Sequence, residues 1–332
     1  LLAVQMLAEA GRAGIRCTLA DLFRQPTLAG MAQASATSGA ADRLAAIPIR
    51  RTGRELPLFV LHMATGEVSF AYRIERYLRA SVPMYGLPGL PKQARPVASL
   101  EEGARHVVGL MRQVQPHGPY RLLGWSFGGI LGYEVAAQLL AAGEPVEFLG
   151  MVDTGHFEPE ALPPGGEHSL EHDLPALVKG PVELDLARRH IAAAPPDAGP
   201  LEHIAILQRH ADAWLNVVAA PIGLMPAEEV RSWLQHWRSY ERAAAGYRFK
   251  VLPHGPRLSL FASQASIDEL GPLLGWQALY PAASIDCIPV PGPHGLLTNE
   301  PHVEGLARAI SAALSRTPEA VALPGLHSEA SL

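Results

Sequence analysis

The sequence predicts an α/β fold: a mostly parallel central sheet covered by helices on both faces, with one helical insertion. Three observations carry this. Short apolar runs recur at 58–61, 82–87, 120–125, 146–152, 257–262 and 284–290. Stretches of helical spacing lie between several of them, at 67–80, 99–114, 127–142 and 299–314. Continuously apolar strands alternating with helices imply a parallel sheet buried on both faces. Finally, about a hundred residues without a clear strand separate Asp153 from Arg257, far more than an ordinary connection.

Taken in order, residues 1–34 read as a small helical piece. Leu1, Val4, Leu7 and Ala8 repeat at helical spacing, and Gly11 and Gly14 end the run. Leu19-Ala-Asp-Leu-Phe23 and Pro26-Thr-Leu-Ala-Gly-Met31 follow, with Pro26 in a first helical turn. Residues 35–46 are small, polar or alanine-rich and read as a flexible linker. The alternating domain spans 47–314. Its insertion, about 155–250, opens on Pro159, Pro163, Pro164 and Gly165 and turns helical near 201–219 and 227–245. It is expected to cover the site as a lid. Trp214, Trp233 and Trp237 lie in it; the last two are one helical turn apart, a spacing that serves packing. Beyond Leu314 the periodicity stops, and 315–332 reads as a loose tail.

Composition narrows the function classes. A chain of 332 residues can bury a large core, and 48% hydrophobic against 18% charged residues is a globular balance, not a disordered one. A net charge of -5 without a Lys/Arg cluster offers no groove for nucleic acid. No apolar run is long enough to span a bilayer. The start lacks a basic leader and a cleavage site, so a cytoplasmic protein is expected. Because it opens inside an apolar periodic segment without Met, the chain reads as a piece of something longer. Cys17 and Cys287 read as two buried thiols, not a disulfide framework.

The chemistry centres on Gly124-Trp-Ser126-Phe-Gly128-Gly129, which follows the run 120–123 and precedes the helix beginning near Ile130. That is the setting a G-x-S-x-G elbow requires. The turn is tight enough to demand glycine and lifts the Ser126 hydroxyl to a helix N-terminus, where backbone N–H groups favour developing negative charge. A serine hydroxyl needs a base, and here the partners follow in the order Ser, acid, His. Of the 14 histidines, His294 is best placed, in Pro291-Gly-Pro-His294-Gly just after the last strand. His302 belongs to the next helix and His327 to the tail. His168, His172, His190, His203, His210 and His236 fall in the insertion, as surface or packing residues. No pair has metal-site spacing of the H-E-x-x-H kind, so no metal and no bound cofactor are expected.

Two acids compete. Asp153 directly ends the strand after the nucleophile. Asp268 lies several residues beyond the run 257–262, at what reads as a helix N-terminus, where capping alone explains an aspartate. Spacing favours Asp153 modestly; Asp286 is mid-strand. The oxyanion hole needs a second donor besides the Phe127 N–H. An α/β-hydrolase takes it from the loop after the first strand, here His62-Met-Ala-Thr-Gly66, with Ala64 preferred and Met63 the alternative. His62 is assigned no role beyond shaping the turn.

These residues resemble a known family. Gly118-Pro-Tyr-Arg-Leu-Leu-Gly-Trp-Ser-Phe-Gly-Gly129, then Met151-Val-Asp153, then Gly292-Pro-His294 look like the thioesterase domains that end nonribosomal peptide synthetases. The resemblance implies an α/β-hydrolase fold with a helical lid. It also implies Ser126 as nucleophile, Asp153 as acid, His294 as base, and Ala64 and Phe127 as hole donors. Residues 1–34 resemble the second half of a peptidyl carrier domain, without its phosphopantetheine serine. The first-strand loop departs from the pattern, which is usually richer in glycine.

The implied activity is release of a peptidyl or acyl thioester, by hydrolysis or macrocyclisation, through a Ser126 acyl-enzyme. Substrate would arrive on the 4'-phosphopantetheine arm of a carrier domain of the same synthetase. No nucleic acid or membrane partner is implied, and the domain is expected to act as a monomer. An editing thioesterase, a small-ester esterase and a non-catalytic docking module are the rivals. The carrier-like start argues against the first and an intact Ser, Asp and His set against the last.

Overall fold

The computed structural model describes residues 27–37, 45–90, 94–157, 170–195, 197–216, 219–252 and 255–316, together with Met6 and Ala10. Most of the expected carrier-like piece, Cys17, and the tail from 317 lie outside the described residues. Helix α1, Leu28–Thr37, starts after Thr27, whose hydroxyl accepts the Gly30 N–H at 3.1 Å. It runs into what the composition marks as linker, since Ala and Ser continue a helix once it is capped.

Among the described residues seven strands form one sheet: β1 Ile47–Arg50, β2 Leu58–Leu61, β3 Met84–Leu87, β4 Tyr120–Trp125, β5 Val146–Val152, β6 Leu258–Ser263 and β7 Ile285–Val290. Their order is β1-β3-β2-β4-β5-β6-β7; only β1 is antiparallel to its neighbour. Strands β2, β4 and β6 are buried along their whole length, as continuous apolar runs require of a sheet covered on both sides. The expected strand at 82–87 begins only at Met84, because Pro83 has no N–H to give the ladder. Strand β1 escapes a reading by apolar runs. It is four residues long, contains Pro48, and sits at an edge, where a proline is tolerated.

The sheet-covering helices are α2 Phe70–Glu75, α3 Leu100–Val114, α4 Phe127–Ala141 and, last among the described residues, α11 Val303–Leu314. The Ser99 hydroxyl accepts the Glu102 N–H, and Glu102 reaches back to the Ala98 N–H, fixing the start of α3. The expected helix at 299–314 starts only after Pro301, so His302 stands at its N-cap, not inside it.

The insertion between β5 and β6 is helical: α5 Leu170–Leu177, α6 Pro181–Ala192, α7 Pro200–Arg209, α8 Ala211–Trp214 and α9 Ala227–Ala245. It has its own core, which includes Leu174, Leu177, Ile204, Leu207, Trp214 and Trp233. Helix α9 bridges two cores: Val230, Trp233 and Leu234 face the insertion, while Tyr240 packs into the main core with Phe127 and Ala64. No helix among the described residues is long and apolar enough to cross a membrane.

Candidate active site

The chain crosses from β3, on one side of β2, to β4 on the other. The C-terminal ends of β2 and β4 therefore flank a topological switch point, where open α/β sheets hold their sites. Ser126 sits there, between β4 and α4. Its backbone lies at φ 52°, ψ −119°, an unusual conformation for a residue with a Cβ. The geometry is enforced on both sides. The Ser126 N–H donates to Val152 O at 2.9 Å, and the Thr154 hydroxyl lies 3.1 Å from the Ser126 carbonyl.

The glycines are required by contact. A Cβ on Gly124 would lie 2.0 Å from the Gly128 carbonyl oxygen, one on Gly128 2.9 Å from the His62 carbonyl oxygen, and one on Gly129 2.2 Å from Thr154 Oγ1. Strand, helix and the loop after β2 meet backbone to backbone. Gly124→Ala is expected to lower stability by about 2–3 kcal/mol and to displace Ser126, as urea unfolding and acylation rate would show. Gly109→Ala, on a helix position with nothing within 4 Å, is expected to be neutral or to stabilise by about 0.5–1 kcal/mol.

His294 is brought to Ser126 by the turn after β7. Its Nε2 lies 3.1 Å from Ser126 Oγ and its Nδ1 2.9 Å from Asp153 Oδ2. The ring is half-exposed and packs near Trp125, at 6.0 Å between centroids. Gly292 at φ 108° turns the chain against the His302 ring, and Arg73 of α2 donates from Nε to Thr298 O at 2.7 Å. The histidine loop is thus tied down on both sides of His294.

Asp153 is the acid that reaches His294. It directly follows β5, is buried, and accepts the Ser263 N–H at Oδ1 (2.7 Å) and the Ser266 hydroxyl at Oδ2 (3.0 Å). Burial pushes its carboxyl up, but the bonds from His294, Ser263 and Ser266 together outweigh it and hold the group below the ordinary carboxylate range. Asp268 is not a helix cap. It lies within α10, Gln264–Leu270, whose N-cap is Ser263, and it is exposed and accepts from Gln264 Nε2 at 2.8 Å. Asp286 pairs with Arg257. Cys287 is half-buried rather than buried.

In the loop after β2 the Met63 N–H donates to Glu67 O at 3.0 Å. The first N–H of α4, that of Phe127, has no partner inside its helix by position. A cleft of about 300 Å³ opens beside Ser126, walled by Ile130, Thr154, Phe157, Leu270 and His294, with Glu269 among its lining. It falls at the lower end of small-molecule pockets. His62, Ser263 and Ser266 are site-adjacent residues that motif reading passes over, since none stands at a fixed offset from the serine. Among the described residues no His, Cys, Asp and Glu group is arranged to hold a metal.

Residues 56–174 match the family model described as a thioesterase domain. The chain is 36% identical over 179 residues to a dimodular nonribosomal peptide synthase of Bacillus subtilis (strain 168), a match covering 51% of this chain and 7% of that protein. It thus spans a small fraction of the length of the curated relatives it matches. The solved four-domain nonribosomal peptide synthetase holo-AB3403, bound to AMP and glycine, superposes with a TM-score of 0.68. That match is 22% identical and covers 96% of this chain and 24% of the other. The NocB thioesterase domain, in covalent complex with a fluorophosphonate nocardicin G analog, superposes with a TM-score of 0.52 at 26% identity. It covers 79% of this chain and 96% of that domain.

Proposed function

From the premise that this chain carries a thioesterase domain related to those of nonribosomal peptide synthetases, we propose that it releases a carrier-bound peptidyl thioester through an acyl-enzyme on Ser126. The observation that carries this reading is the hydrogen-bond chain Ser126 Oγ–His294 Nε2 and His294 Nδ1–Asp153 Oδ2, set on a strained strand-to-helix turn.

His294 Nε2 takes the Ser126 proton as Oγ attacks the thioester carbonyl, and Asp153 holds the resulting imidazolium. The tetrahedral oxyanion is stabilised by the N–H groups of Phe127 and Ala64. Ala64 is favoured over Met63 because the Met63 N–H is already committed to Glu67 O. Collapse expels the pantetheine thiol, which takes a proton from His294, and leaves the ester on Ser126. Water then releases an acid, or an internal hydroxyl or amine of the acyl chain releases a ring. The substrate comes on the phosphopantetheine arm of a carrier domain, and no resident cofactor takes part. The helical insertion acts as the lid, a role supported by the packing of α9 on Phe127. By keeping water out, such a lid favours the internal nucleophile.

The test is mass analysis with a peptidyl-pantetheine thioester. The Ser126 peptide is expected to gain the acyl mass, and a product one water lighter than the acid marks cyclisation. Turnover without any acyl adduct on Ser126 would overturn the reading.

A further inference from the structure

His62 directly follows β2 and is fully buried beneath the loop that supplies Ala64. Its Nδ1 lies 2.7 Å from Met63 O. A carbonyl only accepts, so Nδ1 carries the proton and donates. The Gly66 N–H donates to the same oxygen at 2.8 Å. Met63 C=O and Ala64 N–H belong to one peptide unit, planar and trans, so they point in opposite directions. Two donors that fix the Met63 oxygen therefore fix the direction of the Ala64 N–H.

The ring itself is clamped. It lies 5.7 Å from the Phe127 ring and 4.9 Å, edge-on, from Tyr240 of α9; Phe127 and Tyr240 are 5.4 Å apart. These are the separations of favourable aromatic pairs. Tyr240 is buried, and its hydroxyl accepts the Leu90 N–H at 2.8 Å. Next to Leu90, the Gly89 N–H donates to Gly66 O at 3.0 Å. The His62 carbonyl rests on Gly128, where no Cβ fits. Rings and hydrogen bonds thus join the lid helix, the loop after β2 and the start of α4.

Packing alone does not explain a histidine here. Burial pushes the ring down to about 4, against the raising effect of its bond to Met63 O, so it is neutral at neutral pH. Its Nε2 is buried without a hydrogen-bond partner among the described residues, a cost that an apolar side chain would avoid.

We propose that His62 is a positioning residue for the oxyanion hole, orienting the Ala64 N–H through the Met63–Ala64 peptide, with Tyr240 of the lid helix holding its ring. The proposal rests on the acyl-enzyme reading above, because it presumes that Ala64 is a hole donor. It makes the hole depend on the seating of α9. A lid displaced at Tyr240 would loosen both donor-bearing segments together.

The experiment compares His62→Leu, His62→Asn and Tyr240→Phe in the intact chain, with an acyl-pantetheine thioester and an activated p-nitrophenyl ester as probes. His62→Leu fills the space without a donor. Its kcat is expected to fall about 10–100-fold on both probes, somewhat less than outright loss of a hole donor, with KM within about twofold and melting temperature not lowered. His62→Asn places an amide N–H near the Nδ1 position and is expected to recover most of the rate. Tyr240→Phe keeps the rings and is expected to stay within about fivefold of the parent, since only one neutral hydrogen bond is lost. A His62→Leu kcat within about twofold of the parent would overturn the proposal. If His62→Leu does not fold, His62→Asn and His62→Gln decide: a Gln rate well below the Asn rate supports the proposal, and equal rates overturn it. A parent protein that turns over the ester but not the thioester would refute the proposed substrate and leave the His62 comparison readable on the ester.

Discussion

Ser126→Ala is expected to abolish acyl-enzyme formation and to lower kcat by about 10⁴–10⁶-fold, the range spanned by removing single members of a coupled Ser, His and Asp set, with the nucleophile at its upper end. The fold should survive. The hydroxyl's hydrogen-bond partner in the structure is the half-exposed His294, and the backbone bonds that hold the elbow, Ser126 N–H to Val152 O and the Thr154 hydroxyl to Ser126 O, do not involve the side chain. The unusual φ of 52° is retained with alanine, so stability should change by less than about 1 kcal/mol. The measurement is intact-protein mass after incubation with an acyl-pantetheine thioester, beside a thermal melt. A variant that still acquires the acyl group would remove Ser126 from the mechanism.

Asp153→Asn is expected to cost about 10⁴-fold in kcat while leaving a folded protein. All three groups around the carboxylate are donors: the Ser263 N–H, the Ser266 hydroxyl and His294 Nδ1–H. An ionised carboxylate accepts from all of them, whereas an amide must turn its NH₂ toward one. Turned toward His294, it selects the tautomer that leaves Nε2 protonated and unable to act as a base. Asp268→Asn is the matched control and is expected to stay near the parent rate, because Asp268 is exposed and bonded to Gln264.

The same pair reports on pH. Asp153 is held below the ordinary carboxylate range in the fold. Its charge therefore contributes stability that is present above the unfolded carboxylate pKa of about 3.9 and lost as pH falls through the lower folded value. Urea unfolding of the parent from pH 6 downward should show this loss, and Asp153→Asn should show a shallower one. Equal slopes would mean that the hydrogen bonds to Asp153 do not favour its charged form.

Local signals carried much of the architecture. The buried strands β2, β4 and β5 fall where the apolar runs place them, because a strand covered on both faces is apolar at most positions; the charged exceptions, Arg121 of β4 and Glu147 of β5, pair with each other. The elbow was legible for a similar reason: its glycines answer contacts between neighbours a few residues apart, Gly124 against Gly128 above all. Helices α5 and α6 were not legible. Pro175 lies inside the first and Pro181 opens the second, and a proline reads as a break unless its place in the first turn is known.

The sequence by itself determined that Ser126 stands on an elbow and that His294 follows the last strand in a Pro/Gly-rich turn. Both are statements about a residue and its immediate neighbours, and short-range sterics enforce them. Which acid reaches His294, and what surrounds the loop at Ala64, were decided by tertiary structure. Asp153 meets His294 because the strand order is β5-β6-β7, so that the end of β6 supplies Ser263 and the first turn of α10 supplies Ser266 to the carboxylate while the turn after β7 supplies the imidazole. His62 meets Tyr240 only because a helix of the insertion folds back over the switch point. Contacts between residues more than a hundred positions apart leave no period in the chain. They arise from strand order and from how one core packs on another.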